Sequence, residues 1–130
     1  MNTDSLHRQL YATDASVYRI LPEGVCFPKN KLDIVSLVNF ARENKIPLIP
    51  RAGGTSLAGQ VVGSGLIVDV SKYFNNILDF DAKAKTVTVE PGVVRHDLNA
   101  FLAPHQLFFG PNTSTSNRCT IGGMVGNNSS

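Results

Sequence analysis

The sequence contains 130 residues, of which 42% are hydrophobic and 17% are charged, and its formal net charge is +2. This length and balance predict one globular domain and exclude a disordered chain. The 12 basic residues form no cluster, so the sequence indicates neither nucleic acid nor a membrane surface as a partner, and no stretch approaches the roughly 18 apolar residues of a membrane span.

The two cysteines, Cys26 and Cys119, lie far apart and lack the spacing of a zinc site or a disulfide framework. No metal site is predicted. The N-terminal residues contain no apolar stretch of the kind found in secretory signals. Reduced thiols in a protein without such a signal are typical of the cytoplasm, where we expect this protein to be located.

Apolar periodicity and chain-breaking residues divide the chain into short elements. Residues 1–24 are predicted to form an irregular arm with a short helix at 4–11, and residues 25–130 to form the main portion. Within that portion the patterns predict a strand, a helix, two buried strands, a hairpin and a second helix, at residues 25–27, 31–44, 47–50, 66–70, 77–90 and 95–103. The tail beyond residue 110 is predicted to be mostly loop.

Local signals support the longer elements. Asn30 and Asp33 have the spacing of a capping box at the start of the first long helix, and Pro47 prevents its continuation. The run LIVDV at 66–70 indicates a strand buried on both faces, whereas the strict alternation of TVTVE at 86–90 indicates a strand with one exposed face. The apolar residues predicted to face inward from the second helix are Val94, Leu98, Phe101 and Leu102.

The first glycine loop, residues 50–60 with the sequence PRAGGTSLAGQ, has an unusually open backbone. Gly53 and Gly54 free two successive positions from the steric ban on positive φ, which lets neighbouring N–H groups converge on an anion. Thr55 and Ser56 add hydroxyl donors, and the loop contains no acidic residue. A phosphate site and a plain structural turn are both open, but the lysine of a nucleoside triphosphate loop and the GxGxxG spacing are absent.

The second glycine segment, residues 111–128 with the sequence PNTSTSNRCTIGGMVGNN, repeats this composition. Gly122 and Gly123 are again paired, small hydroxyl and amide side chains surround them, and no acid occurs. Two uncharged, donor-rich segments in one small domain indicate a long ligand with a phosphate centre, held mostly by the main chain. Each segment also carries one arginine, and Arg51 is predicted either to pair with a phosphate or to be solvated.

Five motifs follow one another in a set order: PxAGGTSLxG, GLIVDVS, VxVEPGV, an amphipathic helix and CTIGGMVxNN. This order resembles the FAD-binding domain of the FAD-linked oxidases of the vanillyl-alcohol oxidase or PCMH type, and within it the glycolate oxidase and D-lactate dehydrogenase branch. The resemblance covers residues 11–130. It implies an α+β fold, namely the first small α/β subdomain of a PCMH-type FAD-binding domain and the beginning of the second, cut short at the C-terminus.

In that family the first glycine loop wraps the FAD pyrophosphate with main-chain amides, and the second segment passes along the adenosine, the ribityl chain and the flavin. Together with Arg51, the cofactor-binding residues that the resemblance implies are Ala52, Gly53, Gly54, Thr55, Ser56, Pro111, Ser114, Ser116, Thr120, Gly122, Gly123 and Asn127. Some relatives attach the flavin covalently to a histidine that follows the paired glycines. Thr55 stands at that position here, so the resemblance implies non-covalent FAD.

The resemblance implies an FAD-dependent dehydrogenase or oxidase of a 2-hydroxy acid such as D-lactate or glycolate, in which hydride passes from substrate to flavin. Catalytic residues are not identified, because in the family they come from a substrate or cap portion that this chain lacks. The chain alone is therefore expected to be inactive, and some relatives also carry an iron-sulfur region. Two alternatives are a non-catalytic nucleotide-binding fragment and an NADPH-dependent reductase of UDP-sugar precursors from the same superfamily.

Overall fold

Helices and strands are mixed along the chain in the computed structural model, which describes residues 1–129. The elements are α1 Ser5–Leu10, β1 Gly24–Cys26, α2 Lys31–Asn44, β2 Leu48–Arg51, β3 Leu66–Asp69, β4 Ile77–Asp81, β5 Thr86–Val89, α3 Arg95–Leu102 and α4 Ile121–Gly126. A three-stranded parallel sheet has the order β1-β3-β2, and β4 and β5 form an antiparallel hairpin. The predicted α+β class is confirmed.

Strand β3 is the centre of the parallel sheet and all four of its residues are buried, as the run LIVDV predicted. Strand β2 pairs only with β3 and is partly exposed, which corrects the prediction of a buried strand at 47–50. Pro50 fits this edge position because it has no N–H to donate to a further strand. The register sets Arg51 at the end of β2 beside Asp69 at the end of β3. The first glycine loop, which follows β2, therefore leaves the sheet next to the carboxyl end of the central strand.

Helix α2 spans Lys31–Asn44, as predicted. The Asn30 side chain accepts a hydrogen bond from the Asp33 main-chain N–H at 3.0 Å, and the Asp33 carboxylate accepts one from the Lys29 N–H at 2.7 Å. The first bond satisfies a main-chain donor that the helix itself leaves unpaired, and the second fixes the chain just before the N-cap. The buried face is narrow, because Ala41 is buried while Val38 is 50% exposed.

A second core lies between the β4-β5 hairpin and α3. Its fully enclosed residues are Val93, Leu98 and Leu102. Val87 and Val89 pack against them, which confirms that the TVTVE pattern has one inward face. The inward prediction for Phe101 is wrong: this ring is 39% exposed and packs edge-on against Phe80, with centroids 5.5 Å apart. Leu98 and Leu102, four residues apart, form the buried stripe of α3, and a 3-10 turn at Ala103–His105 follows the helix.

The N-terminal arm contains the predicted short helix, observed as α1 with Asp4 as its N-cap. Asn2 exchanges two main-chain hydrogen bonds with Val25, at 2.8 and 2.9 Å, and so extends the outer edge of β1. Ala12 is fully buried. The arm is therefore packed onto the parallel sheet. Within residues 1–129, no helix combines the length and the apolar character needed to cross a bilayer.

Replacing Asn30 by alanine tests the cap of α2. Loss of an N-cap costs about 1 kcal/mol, so the amides in the first turn of α2 should exchange with solvent about fivefold faster. Hydrogen exchange followed by mass spectrometry measures this on peptides that cover the start of the helix. Asn39→Ala, at an exposed position in the middle of α2, is the matched control and should leave that exchange unchanged or slower. Equal exchange in the two variants would contradict the cap.

Candidate functional site

A cleft of about 690 Å³ lies between the first glycine loop and the second glycine segment. All of the predicted cofactor-binding residues except Pro111 and Ser116 line it. These lining residues are Arg51, Ala52, Gly53, Gly54, Thr55, Ser56, Ser114, Thr120, Gly122, Gly123 and Asn127. The two segments therefore face one another across a single cavity, as the ligand prediction requires.

The first glycine loop presents free donors along the cleft. Within residues 1–129, the main-chain N–H groups of residues 52–57 donate to no protein acceptor. A run of main-chain N–H groups without a protein acceptor along a cleft is available to a polar ligand or to ordered solvent. Among the described residues, no carboxylate lines the cleft and Arg51 is the single charged lining residue. The donor set fits an anion such as a pyrophosphate.

Gly53 and Gly54 are needed for different reasons. Gly54 has φ +61°, in the left-handed region that favours glycine, and a Cβ there would lie 2.6 Å from a guanidinium nitrogen of Arg51. Gly53 does not have a positive φ, which corrects the prediction that both glycines would use that freedom. A Cβ on Gly53 would lie 2.5 Å from the Arg118 carbonyl oxygen. Its missing side chain thus lets the two walls of the cleft touch.

The second glycine segment differs from the predicted loop, because residues 121–126 form α4. The Gly122 N–H donates to the Pro91 carbonyl at 2.9 Å, and the Gly123 N–H donates to the Thr120 hydroxyl at 3.4 Å. A Cβ on Gly122 would lie 2.5 Å from the Pro91 Cβ. The pair therefore permits close packing rather than a second cluster of free amides. The sequence signal for this was present, since Thr120 is a good N-cap residue.

Pro111 and Ser116 lie outside the cleft lining and hold the segment against α3. The Pro111 carbonyl accepts a hydrogen bond from the Arg95 guanidinium at 2.6 Å. The Ser116 carbonyl accepts one from the His96 N–H at 3.0 Å. These bonds use otherwise unpaired donors at the start of α3 and fix the path of the second wall.

Asn127 joins the two walls at the other end of the cleft. Its side-chain oxygen accepts a hydrogen bond from the Gln60 amide at 3.1 Å. Ser114 is exposed, whereas Thr120 is 3% exposed and serves as the cap of α4. Among the predicted cofactor-binding residues of the second segment, Ser114 and Asn127 are thus the ones whose polar side chains are exposed.

Arg51 is directed to the N-terminal arm. Its guanidinium donates to the Thr13 carbonyl at 2.7 Å and lies 5.0 Å from the centre of the Tyr11 ring. Neither of the two predicted alternatives, a phosphate contact or full solvation, included this arrangement. The guanidinium still borders the cleft beside Gly54, so it adds positive charge there even while its donors bind the arm.

Ser56 is 9% exposed, and its hydroxyl donates to the Asp14 carboxylate at 2.5 Å. Asp14 also accepts a hydrogen bond from the Ser16 N–H at 2.8 Å. Burial raises the pKa of Asp14, but the hydrogen bonds from Ser16 and Ser56 outweigh burial and hold that pKa below its usual value. Asp14 therefore stays ionised at neutral pH as an acceptor for Ser56.

Tyr11 makes a second link from the arm to the sheet. Its hydroxyl donates to the Asp69 carboxylate at 2.5 Å, and that carboxylate also accepts from the N–H and hydroxyl of Ser71. Burial, reinforced by the hydrogen bond to Asp69, raises the pKa of Tyr11 well above its usual value. The sequence predicted an irregular arm and did not single out Tyr11 or Asp14. The Asp-x-Ser spacing at Asp14 was the available signal, because it is typical of a side-chain-capped turn.

A sequence model of the family described as FAD binding domain matches residues 22–130 of this chain. A D-2-hydroxyglutarate dehydrogenase of Haemophilus influenzae is 44% identical over 98% of the chain, which covers 13% of that protein. Glycolate oxidase subunit GlcD of Bacillus subtilis is 34% identical over 94% of the chain, which covers 26% of that protein.

Among solved structures, an alkyldihydroxyacetonephosphate synthase superposes with a TM-score of 0.81 at 19% identity, over 95% of this chain and 28% of that one. At this identity the likeness concerns the fold. The chain thus spans only a small part of the relatives that it matches. The match nevertheless includes both walls of the cleft. The chain belongs to the FAD-binding domain family, as the order of its motifs predicted, and FAD is its cofactor.

Proposed function

We propose that the cleft holds FAD with its pyrophosphate against the first glycine loop. The observation that carries this proposal is the run of unpaired main-chain N–H groups at residues 52–57. A pyrophosphate is strongly anionic, and hydrogen bonds to a charged acceptor stabilise it more than neutral ones do. In this proposal the amides of Ala52, Gly53, Gly54 and Thr55 bind the phosphates.

The second wall then follows the rest of the cofactor. Ser114 and Asn127 offer exposed polar side chains, while Thr120, Gly122 and Gly123 supply a smooth packed surface along the cleft. Pro111 and Ser116 act indirectly: their hydrogen bonds to α3 hold the second wall in position. Ser56 keeps a shaping role, because its hydroxyl donates to Asp14. Bound FAD would supply the hydride acceptor for the reaction.

For the whole protein we propose an FAD-dependent dehydrogenase that oxidises a D-2-hydroxy acid. Relatives named for D-2-hydroxyglutarate and for glycolate support this substrate class. The higher identity to the former favours D-2-hydroxyglutarate over the D-lactate or glycolate expected from the sequence. Residues outside this chain would supply the base for the hydroxyl and the cations for the carboxylates, so the chain alone should not turn over substrate.

The second carboxylate is the feature that separates these substrates. D-2-hydroxyglutarate carries one at each end, whereas D-lactate and glycolate carry one. A site built to pair both carboxylates would leave a charged group unpaired when the shorter acid binds, which strongly disfavours that acid. No lysine lines the cleft among the described residues. This fits an arrangement in which this chain binds the cofactor and another region of the protein binds the carboxylates of the acid.

The substrate proposal predicts which compound reduces the bound flavin. Under anaerobic conditions D-2-hydroxyglutarate should bleach the flavin absorbance of the full-length protein faster than D-lactate or glycolate at equal concentration. NADPH should not bleach it. Rapid reduction by NADPH alone would instead favour a reductase of UDP-sugar precursors. Equal rates for all three acids would contradict discrimination by the second carboxylate.

The loop assignment predicts a large effect of Gly54→Val on FAD affinity. The new side chain is incompatible with φ +61° and meets Arg51, so the loop must move. Loss of two hydrogen bonds to the charged phosphates should raise the Kd for FAD by about two to four decades. Titration of deflavinated full-length protein with FAD measures this. Gly110→Ala, where an added Cβ meets only ordinary contact at 3.9 Å, is the control and should bind normally. Unchanged affinity in Gly54→Val would refute the assignment.

The threonine at position 55 predicts that FAD is not covalently attached. Acid denaturation of the full-length protein should release all of the flavin into the supernatant. Mass spectrometry of the precipitated chain should find no added flavin. Flavin that remains with the precipitate would contradict the prediction.

A further inference from the structure

The first glycine loop has little internal support. Its residues 52–57 form no main-chain hydrogen bonds through their N–H groups within the described residues. Fixing a residue that would otherwise be free costs about 1 to 2 kcal/mol in conformational entropy, and a loop that is ordered only by its ligand loses that energy from binding. Support from another part of the chain would remove this cost before FAD arrives.

Residues 11–18, which we name the arm clamp, contact the loop at three places. Asp14 accepts the hydrogen bond from Ser56 in the middle of the loop. The Thr13 carbonyl accepts from Arg51, the residue that leads into the loop. The Tyr18 ring lies against Gly59 at the far end, where a Cβ would approach to 2.8 Å. The contacts span the loop from its entry to its exit.

The arm clamp is itself firmly anchored. Tyr11 donates to Asp69 at the end of β3, and Asp69 is 5% exposed. Thr13 pairs with Arg19 in an antiparallel bridge, and the Ile20 N–H donates to the Ala12 carbonyl at 3.0 Å. Asp14 is held in its own turn by the Ser16 N–H. A rigid support of this kind can transmit its position to the loop, whereas a mobile tail could not.

The arm clamp also lies outside the part of the chain that the family sequence model matches, which begins at residue 22. The match therefore contains the loop and the sheet but not the residues that hold the loop in place. Nothing in the arm clamp lines the cleft. Any effect of these residues on FAD must act through the loop.

We propose that the arm clamp is the positioning element of the FAD loop and that Asp14 and Tyr11 are its positioning residues; this rests on the proposed FAD site. Asp14 fixes Ser56 and thereby the amides on either side of it. Tyr11 fixes the part of the arm whose Thr13 carbonyl accepts the hydrogen bond from Arg51. It thereby keeps the Arg51 guanidinium beside Gly54. The loop is thus preorganised by residues that never touch the cofactor.

Asp14→Ala in the full-length protein is the direct test. It removes the acceptor of Ser56, so FAD should bind about ten- to a hundredfold more weakly, mainly through faster dissociation. Asp81→Ala is the matched control. It removes the same charge and the same kind of turn-stabilising hydrogen bonds, because Asp81 accepts from the N–H groups of Lys83 and Ala84 in the hairpin. That variant should retain normal affinity for FAD.

A double-mutant cycle separates positioning from general destabilisation. If Asp14 acts through Ser56, then the double variant Asp14→Ala with Ser56→Ala should bind FAD no more weakly than whichever single variant has the lower affinity for FAD. Tyr11→Phe, which removes one hydroxyl only, should weaken FAD in the same direction. Additive losses for Asp14 and Ser56, or normal affinity in Asp14→Ala, would overturn the proposal.

Limited proteolysis of the unaltered protein gives a test that needs no substitution. If the arm clamp and the FAD site are coupled, the coupling is reciprocal, and FAD must protect the arm. Trypsin cleavage at the exposed Arg19 should slow when deflavinated protein is saturated with FAD. Unchanged cleavage at Arg19 despite measured FAD binding would overturn the arm clamp alone. Failure of the unaltered protein to bind FAD at all would refute the proposed function instead.

Discussion

Two adjacent positions without side chains govern the geometry of the cleft. Gly53 lets the carbonyl of Arg118 come within contact distance of the first glycine loop, and Gly54 lets the main chain turn through φ +61° beside Arg51. The first property joins the two walls. The second turns the chain within residues 52–57, whose N–H groups donate to no acceptor among the described residues. A side chain at either position would separate the walls or redirect the loop. The cleft and its unpaired donors therefore depend on the same dipeptide.

Each wall is delivered by a different core. The parallel sheet carries the first glycine loop at the carboxyl end of β2, and ligands of open parallel sheets characteristically bind at that edge. The hairpin and α3 carry the second wall, through hydrogen bonds from the start of α3 to the carbonyls of Cys119 and Ser116. Packing of the parallel sheet and of the hairpin with α3 therefore sets the distance between the two walls of the cleft.

In the proposed FAD site, recognition by main-chain groups has a consequence for specificity. Amides bind any phosphate that fits the loop, and they carry no information about a substrate. A domain built in this way can serve relatives that are named for different hydroxy acids, such as D-2-hydroxyglutarate and glycolate. Under the proposed function, substrate choice would rest on side chains elsewhere in the protein.

The sequence by itself determined the elements other than α4, and the ligand class. The capping pair Asn30 and Asp33, the buried run of β3 and the alternation in β5 are local signals, and the paired glycines with their order of motifs identified the FAD-binding family. Tertiary structure decided which amides stay free. Gly122 and Gly123 look like Gly53 and Gly54 in sequence, but the Pro91 carbonyl and the Thr120 hydroxyl accept their hydrogen bonds, and Asp14 reaches Ser56 from 42 residues away. The Thr120 cap is local and had a sequence signal, but pairings as distant as Pro91 with Gly122 and Asp14 with Ser56 leave none, because only packing of the whole fold brings those partners together.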